Sequence, residues 1–386
     1  MKFLLAAFLA VLSAPAYPAP RVPADDATVL ERLPARRDDP VMAELRVMRR
    51  SVAANPRDSG AAARLAKRYF ELAAAEGDPR YVGYAEAVVR PWPAEAPTEI
   101  LYVRGILRQF RHDFDTALED FALVLQRDPD HFGARAWRAA LFMVRAEYSK
   151  AASECAALPV PADDLHAVGC RAYVDATTGH AQAAYQQLSA AFRARSDLDT
   201  GERLWVLTRL AEMAWHLGQA AVADGHFREA LSLGEDDNFL LAEYADFLLE
   251  QKRADEVVKL LKNWTRSDLL LLRLALAEKA VGAPQAAAHA QALGERFAAA
   301  ALRGERLEMG EEARYLLELK GDAAGALATA LENWTKGQQR EPRDAEIVLQ
   351  AAVAAKDPAA AAPVLKWLSD SGFESAKLRR LAEALR

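Results

Sequence analysis

The feature that most constrains this chain is a recurrence of small residues about 34 positions apart. Its clearest unit covers residues 98–131 and carries Gly105, Ala117, Phe121 and Pro129. His112-Asp113-Phe114-Asp115 makes the turn between its two helices. One period further lie Ala139, Ala151 and Cys155. A second strong unit starts at Leu204, with Leu207, Ala211, Gly218, Ala223, Phe227 and Ala230. It repeats as Leu241, Tyr244, Ala245, Leu248, Val257, Leu261 and Trp264. Between the two, residues 165–191 fit with Ala172, Gly179, Ala184 and Leu188. Residues 268–297, 307–334 and 343–368 fit more loosely, with Gly282, Gly321 and Asp357 at their turns. Upstream, residues 61–89 form a degenerate unit turning at Gly77-Asp78-Pro79. Small residues let the two helices of a unit approach closely. Each pair keeps one apolar face that only a stacked neighbour can bury.

These spacings match the tetratricopeptide (TPR) pattern: a small residue at the helix crossing, an Ala at closest approach, an aromatic one layer on, and a closing Pro. The expected fold is therefore all-α, an α-solenoid of stacked antiparallel TPR helix pairs, roughly eight units long. Composition agrees, because hydrophobic residues make up 52% and Ala is abundant while Val, Ile and Thr are sparse, a mixture that favours helix. The expected organisation is a signal peptide over 1–16, a poorly ordered leader over 17–39 and a degenerate helical repeat region over 40–97. The TPR array follows over 98–336. A degenerate repeat and capping helix occupy 337–386, with Leu378, Leu381 and Leu385 on one face.

The leader reading rests on Met1-Lys2, the apolar run over 3–12 and Ala14 and Ala16 in an A-x-A arrangement. That run is about half the ~20 residues a spanning helix needs, and no cysteine follows it for lipid attachment. Export to a bacterial periplasm, without stable membrane insertion, is the expectation. A net charge of -6 gains nothing from releasing counterions on nucleic acid, so a nucleic-acid partner is not expected.

Several segments carry a family resemblance. They are Gly77-Asp78-Pro79-Arg80-Tyr81, Gly83-Tyr84-Ala85, Pro91-Trp92 and His112-Asp113-Phe114, then residues 243–249 and 270–277, and Glu341-Pro342. Across most of the mature chain the protein resembles a group of TPR proteins secreted by proteobacteria. The resemblance implies an interaction protein and assigns no substrate.

No nucleotide-loop, dinucleotide, zinc-protease or serine-hydrolase motif is present. No cofactor is expected and the protein is read as a non-enzyme. Cys155 and Cys170, the only cysteines, fall on adjacent helices of neighbouring units. In an oxidising compartment they suit a disulfide, while two separately buried thiols are the plainer alternative. His166 stands four residues before Cys170, but two ligands do not make a zinc site, so no metal is expected. Asn263-Trp264-Thr265 and Asn333-Trp334-Thr335 read as a repeated structural feature rather than as glycosylation sites.

The first helix of each unit lines the concave groove. By register, Tyr102, Gln109, Phe110, Tyr173, Trp205, Arg209, Glu212, Trp215, Asp246 and Arg273 face it, together with His216. Aromatics mixed with charges suit a protein or peptide partner. Trp205 and Trp215 are the candidate anchors, or alternatively they pack between units. The Lys/Asn/Arg clamp with which some TPR domains grip a C-terminal carboxylate is missing. The matching positions hold Tyr102, Ala136, Thr208 and Ala242, then Ile106, Ala140, Glu212 and Asp246. The leading expectation is a periplasmic scaffold or adaptor. A structural factor in cell-envelope or polysaccharide assembly is the alternative. A glycan-active enzyme ranks below both, with Glu212 and Asp246 the carboxylate pair to test.

Overall fold

The computed structural model describes residues 39–78 and 80–386. The signal peptide, nearly all of the leader and Pro79 lie outside the described residues. The described residues divide at 47/48, with 39–47 in one unit and 48–386 in the other. In the first, the described chain is the opening of α1 (Pro40–Ala54). The Asp39 carboxylate accepts from the amides of Val41 and Met42 there, satisfying donors at the helix start.

In the second unit, antiparallel pairs follow one another, and no strand occurs among the described residues. The pairs are α2 (Ser59–Glu76) with α3 (Arg80–Val89), α4 (Thr98–Phe110) with α5 (Phe114–Arg127), and α6 (Phe132–Val144) with α7 (Tyr148–Ala156). Next come α8 (Leu165–Thr177) with α9 (Ala181–Arg193), and α10 (Thr200–His216) with α11 (Ala220–Ser232). Then α12 (Asn238–Glu250) pairs with α13 (Ala254–Leu261), and α14 (Asp268–Val281) with α15 (Ala286–Leu302). The following first helix is α16 (Met309–Arg314) continued by a π-helical stretch, Tyr315–Lys320, and it pairs with α17 (Ala323–Thr335). Last are α18 (Pro342–Ala355) with α19 (Ala362–Ser371), and the closing α20 (Ala376–Glu383).

The periodicity has a backbone cause. First helices open on a side-chain cap in many units: Asp58, His131, Asp164, Asp199, Asp237 and Ser267 each accept from a backbone amide of the following turn. The first helices end on a left-handed residue: Gly77, His112, Ala146, Gly179, Gly218, Lys252, Gly282, Gly321 and Lys356. The glycine turns read from sequence stand where expected. In the last pair the turning residue is Lys356, one before the expected Asp357. At the helix crossings small residues are needed for space. The Phe121 ring lies 2.7 Å from where a Cβ on Gly105 would stand, and Phe121 is itself wholly buried.

The coil closes on itself within the second unit. The Asn238 amide donates to Ala74 O at 2.6 Å. Further along, Gln339 meets the His112 ring at 2.9 Å, and the Arg340 amide donates to Val144 O at 2.8 Å. The Trp367 indole N–H donates to the Tyr148 hydroxyl at 2.7 Å, and the Ala181 amide donates to the Glu374 carboxylate at 2.8 Å. The turns between first and second helices of the early pairs thus rest on the C-terminal pairs.

Candidate functional site: the inner face

The first helices α8, α10, α12 and α14 bring Tyr173, Arg209, Glu212, Asp246 and Arg273 to the interior of the coil. Arg209 is held between two rings, 4.8 Å from the Tyr173 centroid and 4.7 Å from that of Phe239. Stacking fixes the guanidinium plane and leaves its edges for hydrogen bonding, and one edge meets Glu212 at 2.8 Å. One turn deeper, Asp246 accepts from Arg273 at 2.7 Å and from Arg314 at 2.5 Å. Arg273 also pairs with Glu311 at 2.6 Å and donates to Leu269 O.

The other groove candidates have intramolecular neighbours of different kinds. Trp205 lies against Gly169 and stacks on His166 at 6.1 Å. Trp215 packs edge-on to Phe247 and donates its indole N–H to Glu250 at 3.2 Å. Both indoles therefore sit between successive pairs while keeping part of their surface open. Tyr102 covers Gly133 and tilts against His131, and Phe110 meets Phe70 edge-on. Gln109 is half-buried beside it. These three residues of α4 do not join the charged cluster. Cys155 and Cys170 are joined in a disulfide between α7 and α8, with Cα atoms 5.5 Å apart. Among the described residues no group of three or more His, Cys, Asp or Glu could hold a metal ion.

Sequence reasoning missed four members of the cluster: Glu243, Glu308, Glu311 and Arg343. Glu243 was within reach, because it precedes Asp246 by three positions and so shares its helix face. Arg343 was not, because it belongs to a loosely patterned pair that reaches the interior only when the coil closes. Its guanidinium pairs with Glu341 at 2.9 Å and is 46% exposed. It nevertheless lies in the field of Glu243, Glu311 and Glu212, which come from separate helices. The interior is thus a polar lumen in which Arg209, Glu212, Asp246, Arg273 and Glu311 are largely buried and Arg343 is open to solvent, not an apolar core.

Its electrostatics follow from carboxylates crowded where little water surrounds them. Burial, then the neighbouring Glu212, push Glu243 up to about 8. Burial also raises Glu212, with Arg209 opposing it. Burial works against ionisation of Asp246 too, but Arg273 and Arg314 outweigh it and hold the group below its ordinary value. Glu212 and Asp246 are therefore each tied to arginine, and Asp246 has both oxygens occupied.

Antiparallel helix pairs at one TPR period, capped first helices and small crossing residues define a TPR-type α-solenoid. No protein-family model matches the chain, and no curated protein sequence matches it. Its fold is similar to that of a tetratricopeptide repeat protein from Parabacteroides merdae ATCC 43184, at 15% identity and a TM-score of 0.45, covering 61% of this chain and 92% of that one. It is also similar to the APC/C hetero-tetramer Cut9-Hcn1, at 12% identity and a TM-score of 0.48, covering 84% and 62%. A third similarity is to the P58(IPK) TPR domain, at 16% identity and a TM-score of 0.21, covering 82% and 94%.

Proposed function

We propose that this chain is an exported scaffold of the bacterial periplasm that holds a protein or peptide partner on its inner face. The carrying observation is the charged lumen. Buried and half-buried ion pairs contribute little net stability and are often replaced by apolar groups at no loss. A coil selected for stability alone would line its interior with Leu and Val. Here the interior presents the stacked Arg209, the unpaired Glu243 and the half-exposed Arg343 to solvent. Such preorganised charged and hydrogen-bonding groups suit recognition of a polar segment. The leader pattern in the sequence supports export.

The test is capture from periplasmic extract by the immobilised mature chain, followed by identification of what is held. Arg209→Ala and Glu243→Ala should each reduce recovery of the same partner at least tenfold, with far-UV circular dichroism unchanged. Equal recovery by the folded variants would sink the inner-face reading.

A further inference from the structure

Residues 372–375 join α19 to α20, and with the first turn of α20 they cross the C-terminal ends of three inner-face helices. Gly372 lies against Gly179 at the end of α8. The Phe373 ring meets the ring of His216, the last residue of α10, edge-on at 5.0 Å between centroids. The Glu374 carboxylate accepts from the Ala181 amide at 2.8 Å, where α9 begins. The Lys377 ammonium bridges Glu250, the last residue of α12, at 3.1 Å and Glu346 of α18 at 2.7 Å. His216 in turn stacks on Trp215, and Glu250 accepts the Trp215 indole N–H. Residues 372–377 therefore cover a patch made by Trp215, His216 and Glu250. That patch lies about one helical turn beyond Glu212 and Asp246 of the charged cluster.

This segment is held differently from the helix pairs. Its grip on α8 to α12 is one carboxylate cap, one ammonium shared by two carboxylates and one ring contact. Lys377, Glu250 and Glu346 are all partly open to water, where ion pairs contribute little. Phe373 is its large buried anchor, packed on Trp367 and His216. Only Leu378 and Ala382 of α20 are buried, whereas α12 and α18 each bury seven residues. A segment with few buried apolar side chains opens locally at a free energy below that of global unfolding. We propose that residues 372–383 are a strap that detaches from α8, α10 and α12 while the helix pairs stay folded, and that its release opens the Trp215 edge of the inner face to the partner. The second half rests on the reading that the inner face holds the partner, and it adds a gate to that face.

The test is amide-resolved hydrogen exchange on the full mature chain, which needs no partner. Ala181 opens α9, so its amide has no intrahelical acceptor and Glu374 is its partner. Its exchange therefore reports the strap from the receiving side, and the α20 amides report it from the other. Both sets should exchange at least about 100-fold faster than the amides in the middle of α10 and α12. Lys377→Ala should speed both sets about fivefold, the effect of losing one partly exposed ion-pair site, and leave α10 and α12 unchanged. The strap is overturned if its amides exchange no faster than those of α10 and α12, or if Lys377→Ala speeds every amide alike or none. Lys377→Ala should also take up the partner captured from periplasmic extract about fivefold faster, in step with the larger open fraction. If exchange responds and uptake does not, the gate falls and the inner-face reading stands. If Arg209→Ala and Glu243→Ala capture the partner unchanged, the inner face falls, and the gate with it, while exchange alone still decides whether the strap opens.

Discussion

Gly179 and Gly372 meet backbone to backbone across the seam: a Cβ on Gly179 would stand 3.1 Å from the Gly372 carbonyl oxygen. Gly179 ends α8 with a φ of 85° and Gly372 ends α19 with a φ of 66°. Both need the freedom of glycine at left-handed φ, but only Gly179 would push a new methyl group against opposing backbone.

The two substitutions are therefore expected to differ. Gly372→Ala carries the backbone strain alone and should cost about 1 kcal/mol. Gly179→Ala adds the crowding and should cost roughly 1 kcal/mol more. Urea melts of the two variants decide this, and equal midpoints would mean that the seam yields freely at this point.

The Cys155–Cys170 bridge closes a loop with a sequence separation of 15. Cross-linking a loop of that size is worth about 3 kcal/mol through the unfolded state. Replacing both cysteines by alanine should lower unfolding free energy by about 2–3 kcal/mol without changing the far-UV spectrum. Denaturant titration under non-reducing conditions is the measurement.

Arg273 is 3% exposed and satisfies Asp246 and Glu311 together. Removing it leaves two carboxylates facing each other with less compensation, a situation that typically costs about 3–5 kcal/mol. Arg314 still neutralises Asp246, so Arg273→Ala should fall toward the lower end. Arg273→Ala together with Asp246→Asn should recover part of the loss, and a double-mutant cycle reads the coupling.

The lumen also sets a pH dependence. Glu243 titrates near 8 in the fold against about 4.5 for an unperturbed glutamate. The folded chain therefore binds more protons than the unfolded one between these values, and stability falls as pH rises from about 4.5 to 8. Glu243→Gln keeps the shape and removes the charge. It should melt higher than wild type at pH 8, by an amount equivalent to about 1–2 kcal/mol once solvent screening in the lumen is allowed for. The difference should vanish toward pH 5. A constant difference across that range would show that Glu243 is not the titrating group. On the acid side, burial depresses His112 and His216 to about 4. They oppose the trend by removing stability as pH falls from 6.5 to 4.

Local chemistry made the repeats legible. Gly105 beneath Phe121, the aspartate caps and the glycine turns act over one helix pair, and each writes a residue type at a set spacing. Four turns are made by His112, Ala146, Lys252 and Lys356, whose left-handed φ leaves no glycine in the sequence to read. The inner face was legible in part for the same reason. Tyr173, Arg209, Glu212, Asp246 and Arg273 follow from helical register, while Trp205 and Trp215 could not be assigned between groove and packing until Gly169, His166, Phe247 and Glu250 were placed beside them.

By itself the amino-acid sequence determined the helix pairs, their period and the helix faces that turn inward, because all three depend on contacts within a pair or with the next one. Only the tertiary structure decided what meets those faces. The rotation from each pair to the next is small and accumulates along the coil, so no short stretch encodes that Gly179 meets Gly372 or that Arg343 enters the field of Glu243. Contacts between residues so far apart in sequence follow from the summed geometry of many pairs, and with them the charge that the lumen presents.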